Sequence, residues 1–170
     1  GGRKPGRGLS VDDQYLIVSD VDGTLLGDEQ ALEEFAGWIA PRRNQFCLVY
    51  NSGRFPHLVR KSIEHFGLPE PDALIGGVGT AIEDFTTGEP ISGWPALQGH
   101  WDAWLVRELL SAEPRLKLQP EKFLSKYKMS YFAHKARSEE LTEWQLRLKS
   151  AGLAVRMVYS SQRDLDFLPA

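Results

Sequence analysis

The sequence predicts an α/β protein: a parallel sheet whose strands alternate with helices, carrying an α+β segment inserted after the third strand. Three observations carry that prediction. Apolar runs at 15–18, 46–50 and 72–75 are separated by two stretches with helical apolar spacing, which is the β-α-β-α-β order of right-handed crossovers. The first two runs are continuous rather than alternating, as for strands buried on both faces of a parallel sheet. After Gly79 the pattern changes to short alternating strands and two further helices.

Each element follows from local signals. The opening ten residues, GGRKPGRGLS, are Gly-rich, basic and aperiodic, and read as a flexible tail over 1–13. Tyr15-Leu16-Ile17-Val18 is the first strand. Leu32, Phe35, Ala36 and Ile39 lie on one face of a helix that ends before Pro41. Phe46 to Tyr50 is the second strand and contains the single cysteine, Cys47, read as a buried structural thiol. A helix over 56–66 opens with Pro56, carries Val59, Ile63 and Phe66 on one face, and stops at Gly67. Asp72 to Ile75 is the third strand, and residues 80–83 and 91 flank a turn as a hairpin.

Beyond the hairpin, Trp101, Trp104, Leu105 and Leu109 predict one apolar helix face. Residues 115–119 and 127–133 alternate as half-buried antiparallel strands. Ser138 is placed as the cap of a helix with Glu139 and Glu140 in its first turn and Gly152 beyond its end. A strand over 153–159 follows. The chain thus divides into the tail, a first part of the core over 14–82, the inserted segment over 83–158, and a strand over 159–170 returning to the core.

The composition restricts the function. A net charge of −3 on 170 residues lacks the basic excess that nucleic-acid binding requires. No apolar run approaches the length of a membrane span and no signal-peptide pattern opens the chain, so the expected location is the cytoplasm. His57, His65, His100 and His134 show no metal-ligand spacing. The expected partner is a small molecule, with no nucleic acid and no membrane, and the oligomeric state is left unassigned.

The stretch Val18-Ser19-Asp20-Val21-Asp22-Gly23-Thr24-Leu25-Leu26 carries the chemistry. A calcium loop is excluded, because the sixth position from Asp20 is Leu25 rather than glycine. Two readings remain. One is a tight turn at Asp22-Gly23 with Asp20 capping it. The other is phosphoryl transfer, with Asp20 at the strand tip as nucleophile and Asp22 as proton donor and acceptor. In the second reading Gly23 turns the chain, Thr24 holds Asp22 by a hydrogen bond, and a magnesium ion relieves the repulsion of the two carboxylates.

This stretch resembles the first motif of the haloacid dehalogenase-like (HAD) phosphatases, Asp-x-Asp-x-Thr after a strand. The resemblance implies a Rossmannoid core, an aspartyl-phosphate formed on Asp20, acid–base work by Asp22, and magnesium held by Asp20 and by the backbone carbonyl of Asp22. Asn51-Ser52-Gly53-Arg54 resembles the second motif, with the Ser52 hydroxyl on a phosphate oxygen, Asn51 and Gly53 beside it, and Arg54 among the substrate contacts. The segments NSGRF, PDALIGGVGTAIED, LQPEKFLSKYKMSYF and VYSSQRDLDFLP are similar to the sucrose-phosphate phosphatase branch, whose C2-type cap follows the third strand. IGGVGT and VYSSQRDLD are similar to mannosylfructose-phosphate phosphatase.

The branch implies hydrolysis of a disaccharide phosphate, either sucrose 6-phosphate or mannosylfructose phosphate. It assigns Gln119, Glu121 and Lys128 to sugar hydroxyls; by residue type alone they fit a solvated strand face equally well. A non-catalytic sugar-phosphate-binding or regulatory domain is the alternative. The family's third motif, a lysine, and its fourth, Gly-Asp-x-x-x-Asp, have no counterpart in the sequence. The chain is therefore expected to correspond to the first two-thirds of such an enzyme, or to a degenerate relative, and to be weak or inactive by itself. Asp164 and Asp166 are poor replacements for the missing metal ligands.

Overall fold

Parallel pairing of β1 (Tyr15–Asp20), β2 (Phe46–Asn51) and β3 (Ala73–Gly76), with β4 (Ala81–Asp84) antiparallel to β3, forms the first sheet in the order β1-β2-β3-β4. The structure, a computed structural model, describes residues 15–170, so the expected tail over 1–13 lies outside the described residues. The chain divides into two compact units, one ending at Pro95 and the other running from Ala96 to Ala170.

In the first unit, α1 (Glu29–Ile39) and α2 (Pro56–Phe66) cross between successive strands. Asp28 caps α1, its Oδ1 accepting from Ala31 N at 3.0 Å. Pro41 then ends regular helix, and the chain tightens into a 3₁₀ turn over Ala40–Gln45. Gly67 terminates α2 in the left-handed region at φ 67°. Both helices pack on one sheet face, where Leu32, Phe35, Ile39, Val59 and Ile63 meet Leu48, Tyr50 and Leu74.

The central strand β2 is buried from Cys47 to Tyr50, as its continuous apolar run predicts. β1 is not. Tyr15, Leu16 and Val18 are 60%, 65% and 51% exposed, since among the described residues β1 is an edge strand paired with β2 alone; of the run, Ile17 packs into the core.

The second unit is an antiparallel sheet in the order β5-β6-β8-β7, built from β5 (Lys117–Leu118), β6 (Met129–Phe132), β7 (Val155–Ser160) and β8 (Asp164–Pro169). Helices α3 (Ala103–Leu110) and α4 (Ser138–Ser150) bury Val106, Leu110, Trp144 and Leu148 against Met129, Tyr131, Leu165 and Phe167.

Four sequence expectations change here. Residues 159–170 do not return to the first sheet: β8 lies between β6 and β7 in the second. The cause is the turn at Ser160–Arg163, where Arg163 N donates to Ser160 O at 3.1 Å and Ser161 and Gln162 take φ 53° and 51°. Positive φ at both central residues is the twist a tight hairpin requires. The expected boundary at 82/83 moves as well, since β4 and the turn after it belong with the first sheet. The expected apolar face of α3 holds except at Trp104: Trp101, Leu105 and Leu109 pack against the core together with buried Val106 and Leu110. Asp102 caps the helix through Trp104 N and Leu105 N, and the Trp104 side chain is 70% exposed. Finally, Ser138 is the first helical residue of α4 rather than its cap, and Glu140 Oε2 accepts from Arg137 N at 2.9 Å. Among the described residues no helix is long and apolar enough to cross a membrane.

Candidate active site

The loop after β1 alternates anchors with exposed polar groups. Val21 and Leu25 are buried in the core, and Val21 O accepts from Leu25 N and Leu26 N at 3.1 and 2.9 Å. Gly23, at φ 75°, allows the reversal. With those residues fixed inside, Asp20, Asp22 and Thr24 are held at the surface.

The parallel register puts Asp20 directly opposite Asn51, the last residue of β2. Ser52 and Gly53 follow, so the two motif loops are neighbours at the carboxyl ends of adjacent strands, where α/β sheets place their ligands. The Thr24 hydroxyl donates to Asp20 Oδ2 at 3.2 Å. This corrects the expectation that Thr24 holds Asp22. Asp22 is held from the other loop: Arg54 Nε donates to Asp22 Oδ2 at 2.8 Å, and Arg54 Nη1 to Ser62 Oγ at 2.9 Å. Arg54 Nη2 is buried without a partner.

Ser52 is buried, and its Oγ accepts from Arg54 N at 3.1 Å. That bond uses a lone pair and leaves the hydroxyl proton free to donate. At Gly53 an added Cβ would meet nothing, so the loop is open on that side.

The loop is clamped from behind by the Gly76-Gly77 pair. Gly77 N donates to Arg54 O at 2.9 Å, and a Cβ on Gly76 would lie 2.6 Å from Pro56 Cδ and 2.7 Å from Arg54 O. Close backbone approach, rather than nucleotide binding, is what these glycines provide. Ser62 is a contributor that the motifs do not signal, because it lies within α2 and is reached only through the Arg54 side chain.

In the second unit, Gln119 and Lys128 lie along one polar row with Ser130, Asp164 and Asp166. Gln119 Nε2 donates to Tyr131 O and Asp164 Oδ1, both at 3.2 Å. Lys128 is buried, its Nζ 2.8 Å from Phe123 O, 2.6 Å from Ser130 Oγ and 3.4 Å from Asp166 Oδ1. Its ammonium is thus engaged within the unit. Asp166 also accepts from Ser130 Oγ at 2.5 Å, and Asp164 pairs with Arg163. Glu121 is set apart from this row, exposed and paired with Arg107 at 3.2 Å.

As to metal, no group of three or more His, Cys, Asp or Glu side chains converges among the described residues. Asp20 and Asp22 still offer hard oxygen donors at one strand tip. That suits magnesium, which is bound through one or two carboxylates, with phosphate oxygens and water completing its shell.

A family model for Sucrose-6F-phosphate phosphohydrolase matches residues 13–170. The chain belongs to this family. It is 35% identical over 163 residues to Sucrose-phosphatase 1 of Nicotiana tabacum, covering 92% of this chain and 38% of that protein. It is 34% identical over 157 residues to the Mannosylfructose-phosphate phosphatase of Agrobacterium fabrum, covering 91% of this chain and 63% of that one. Among solved structures, the sucrose-phosphatase of Synechocystis, in complex with sucrose and phosphate, superposes with a TM-score of 0.83 at 31% identity, over 92% of this chain and 64% of that chain. A haloacid dehalogenase-like hydrolase of Bacillus subtilis shares the fold at TM-score 0.55 and 16% identity, over 93% of this chain and 66% of that one. The fold is therefore an α/β HAD-like one, and the chain spans between about two-fifths and two-thirds of the length of these relatives.

Proposed function

We propose that this chain carries the nucleophile and acid–base part of a magnesium-dependent sugar-phosphate phosphatase that works through an aspartyl-phosphate. The observation that carries the reading is the pairing of the two motif loops: Asp20 held by Thr24 opposite Asn51, and Asp22 held away from it by Arg54.

In the first step an Asp20 carboxylate oxygen bonds to phosphorus while the bond from phosphorus to the sugar oxygen breaks, and Asp22 gives its proton to that oxygen. In the second, a water oxygen bonds to phosphorus, Asp22 takes the water proton, and the bond to Asp20 breaks to release inorganic phosphate. The Ser52 hydroxyl, with Asn51 and Gly53 beside it, holds phosphate oxygens during both steps, and Arg54 is among the substrate contacts. Asp20 and the backbone carbonyl of Asp22 would hold magnesium, which when bound neutralises phosphate charge. The polar row of Gln119 and Lys128 is assigned to the sugar, with Lys128 ordering Ser130 and Asp166.

The substrate class rests on the family and on the relatives named for sucrose and mannosylfructose phosphates. The test is phosphate release from sucrose 6-phosphate and from mannosylfructose phosphate. Release that disappears in Asp20→Asn supports the reading. Release unchanged in that variant removes the nucleophile assignment.

A further inference from the structure

A groove of about 500 Å³ opens beside α3 in the second unit, within the roughly 300–1,000 Å³ of small-ligand sites. It differs in character from the polar row. Met129, which lines it, belongs to the helix-side core and alternates along β6 with Ser130, whose side chain is on the opposite face. The residues that line it all belong to the second unit.

Its walls are aromatic and its rim is charged. Trp104 stands 70% exposed, presenting a large apolar surface to solvent. Arg107 lies over the Trp104 ring, its Cζ 5.3 Å from the centroid, and its Nη1 reaches Glu121 Oε1 at 3.2 Å. Trp101 is fixed by donation from its Nε1 to Lys126 O at 2.8 Å. Each group is thus held in place before any ligand arrives, which lowers the ordering cost of binding.

The chemistry of the walls selects the ligand. Asp102 and Glu121 balance Arg107 and Lys126, so the groove has no net sign to favour an anion or a cation. A purely apolar ligand would desolvate those four charges without hydrogen-bonding them, which is costly. A neutral sugar ring satisfies both halves: its C–H face covers an indole, and its hydroxyls both donate to carboxylates and accept from guanidinium or ammonium.

We propose that the groove formed by Trp101, Trp104, Tyr127, Arg107 and Glu121, all on the second unit, is a saccharide-binding site that takes a neutral sugar ring. It does not depend on the phosphatase reading, because none of its residues takes part in phosphoryl transfer.

The test is a titration of the ¹⁵N-labelled chain with maltose and with methyl glucoside, followed by nuclear magnetic resonance at the indole N–H groups. The expected result is saturable, millimolar movement of the Trp101 and Trp104 signals while that of buried Trp144 stays still. Trp104→Ala, at a surface position, abolishes the saturable change at Trp101, Glu121→Gln weakens binding about tenfold, and Asp20→Asn leaves it intact. The proposal is overturned by linear, unsaturable shifts, or by a Trp101 response that survives Trp104→Ala. It is equally overturned by self-association that Trp104→Ala removes without any sugar response, which would make the groove a contact for a second copy.

Discussion

Arg54 Nε lies 2.8 Å from Asp22 Oδ2 and joins the loop after β2 to the loop after β1. Its second anchor is Ser62, on α2. The pair is partly exposed, so its direct contribution to stability is small; its value is in aiming the carboxylate. Arg54→Ala is expected to lower kcat for phosphate release about a hundredfold, with a smaller effect on KM. Arg54→Lys recovers only part of that, because an ammonium cannot reproduce the forked contact to both Asp22 and Ser62. Steady-state kinetics of the two variants separate this aiming role from loss of fold.

Gly76→Ala tests the clamp behind the second loop. A methyl group 2.6 Å from Pro56 Cδ and 2.7 Å from Arg54 O must push the backbone away. The expected cost is about 1–3 kcal/mol by urea unfolding, together with weaker binding of inorganic phosphate. Gly53→Ala meets no atom and should change stability by less than about 0.5 kcal/mol while still weakening phosphate binding.

Stability of the first sheet rests on a buried ion pair. Asp72 is fully buried, its Oδ2 2.8 Å from Arg43 Nη2 and accepting from Leu48 N at 2.8 Å. Arg43→Met leaves that carboxylate uncompensated and is expected to cost about 3–5 kcal/mol, read as faster amide exchange along β2.

The second unit carries an acid-sensitive contact. Hydrogen bonding to Arg115, followed by the Arg137 backbone N–H, holds the Glu140 carboxyl down at about 2, against an ordinary 4.5. A folded value below the unfolded one means the stabilisation is fully present above pH 4.5 and is lost as pH falls towards 2. Arg115→Gln should move the Glu140 titration, followed by carboxyl carbon resonance, back towards its ordinary value and flatten that acid dependence.

Much of this was legible in the sequence because it depends on local rules. Helix α2 begins at Pro56 and ends before Gly67 as its signals dictate, and the continuous run at Phe46–Tyr50 is a buried strand. The site loops were found because their residues follow strands directly. What was not legible depends on reach and rotation. Nothing local shows that the Arg54 side chain crosses to Asp22, or that Thr24 turns to Asp20 instead. Trp104 fits the spacing of a buried face, but Val106 and Leu110 take the innermost positions of α3 and leave Trp104 70% exposed. β8 was misplaced because its hairpin turn uses Ser161 and Gln162 at positive φ, where glycine or asparagine is the usual signal.

If Asp20 receives a phosphoryl group at a magnesium-dependent site, the metal and a phosphate mimic must bind interdependently. Calorimetry of magnesium and orthovanadate, each titrated with and without the other, measures that interdependence. Each is expected to raise the affinity of the chain for the other by roughly 5–150-fold, and Asp20→Asn to remove the coupling. Independent binding of the two, or coupling that persists unchanged in Asp20→Asn, would contradict that role for Asp20.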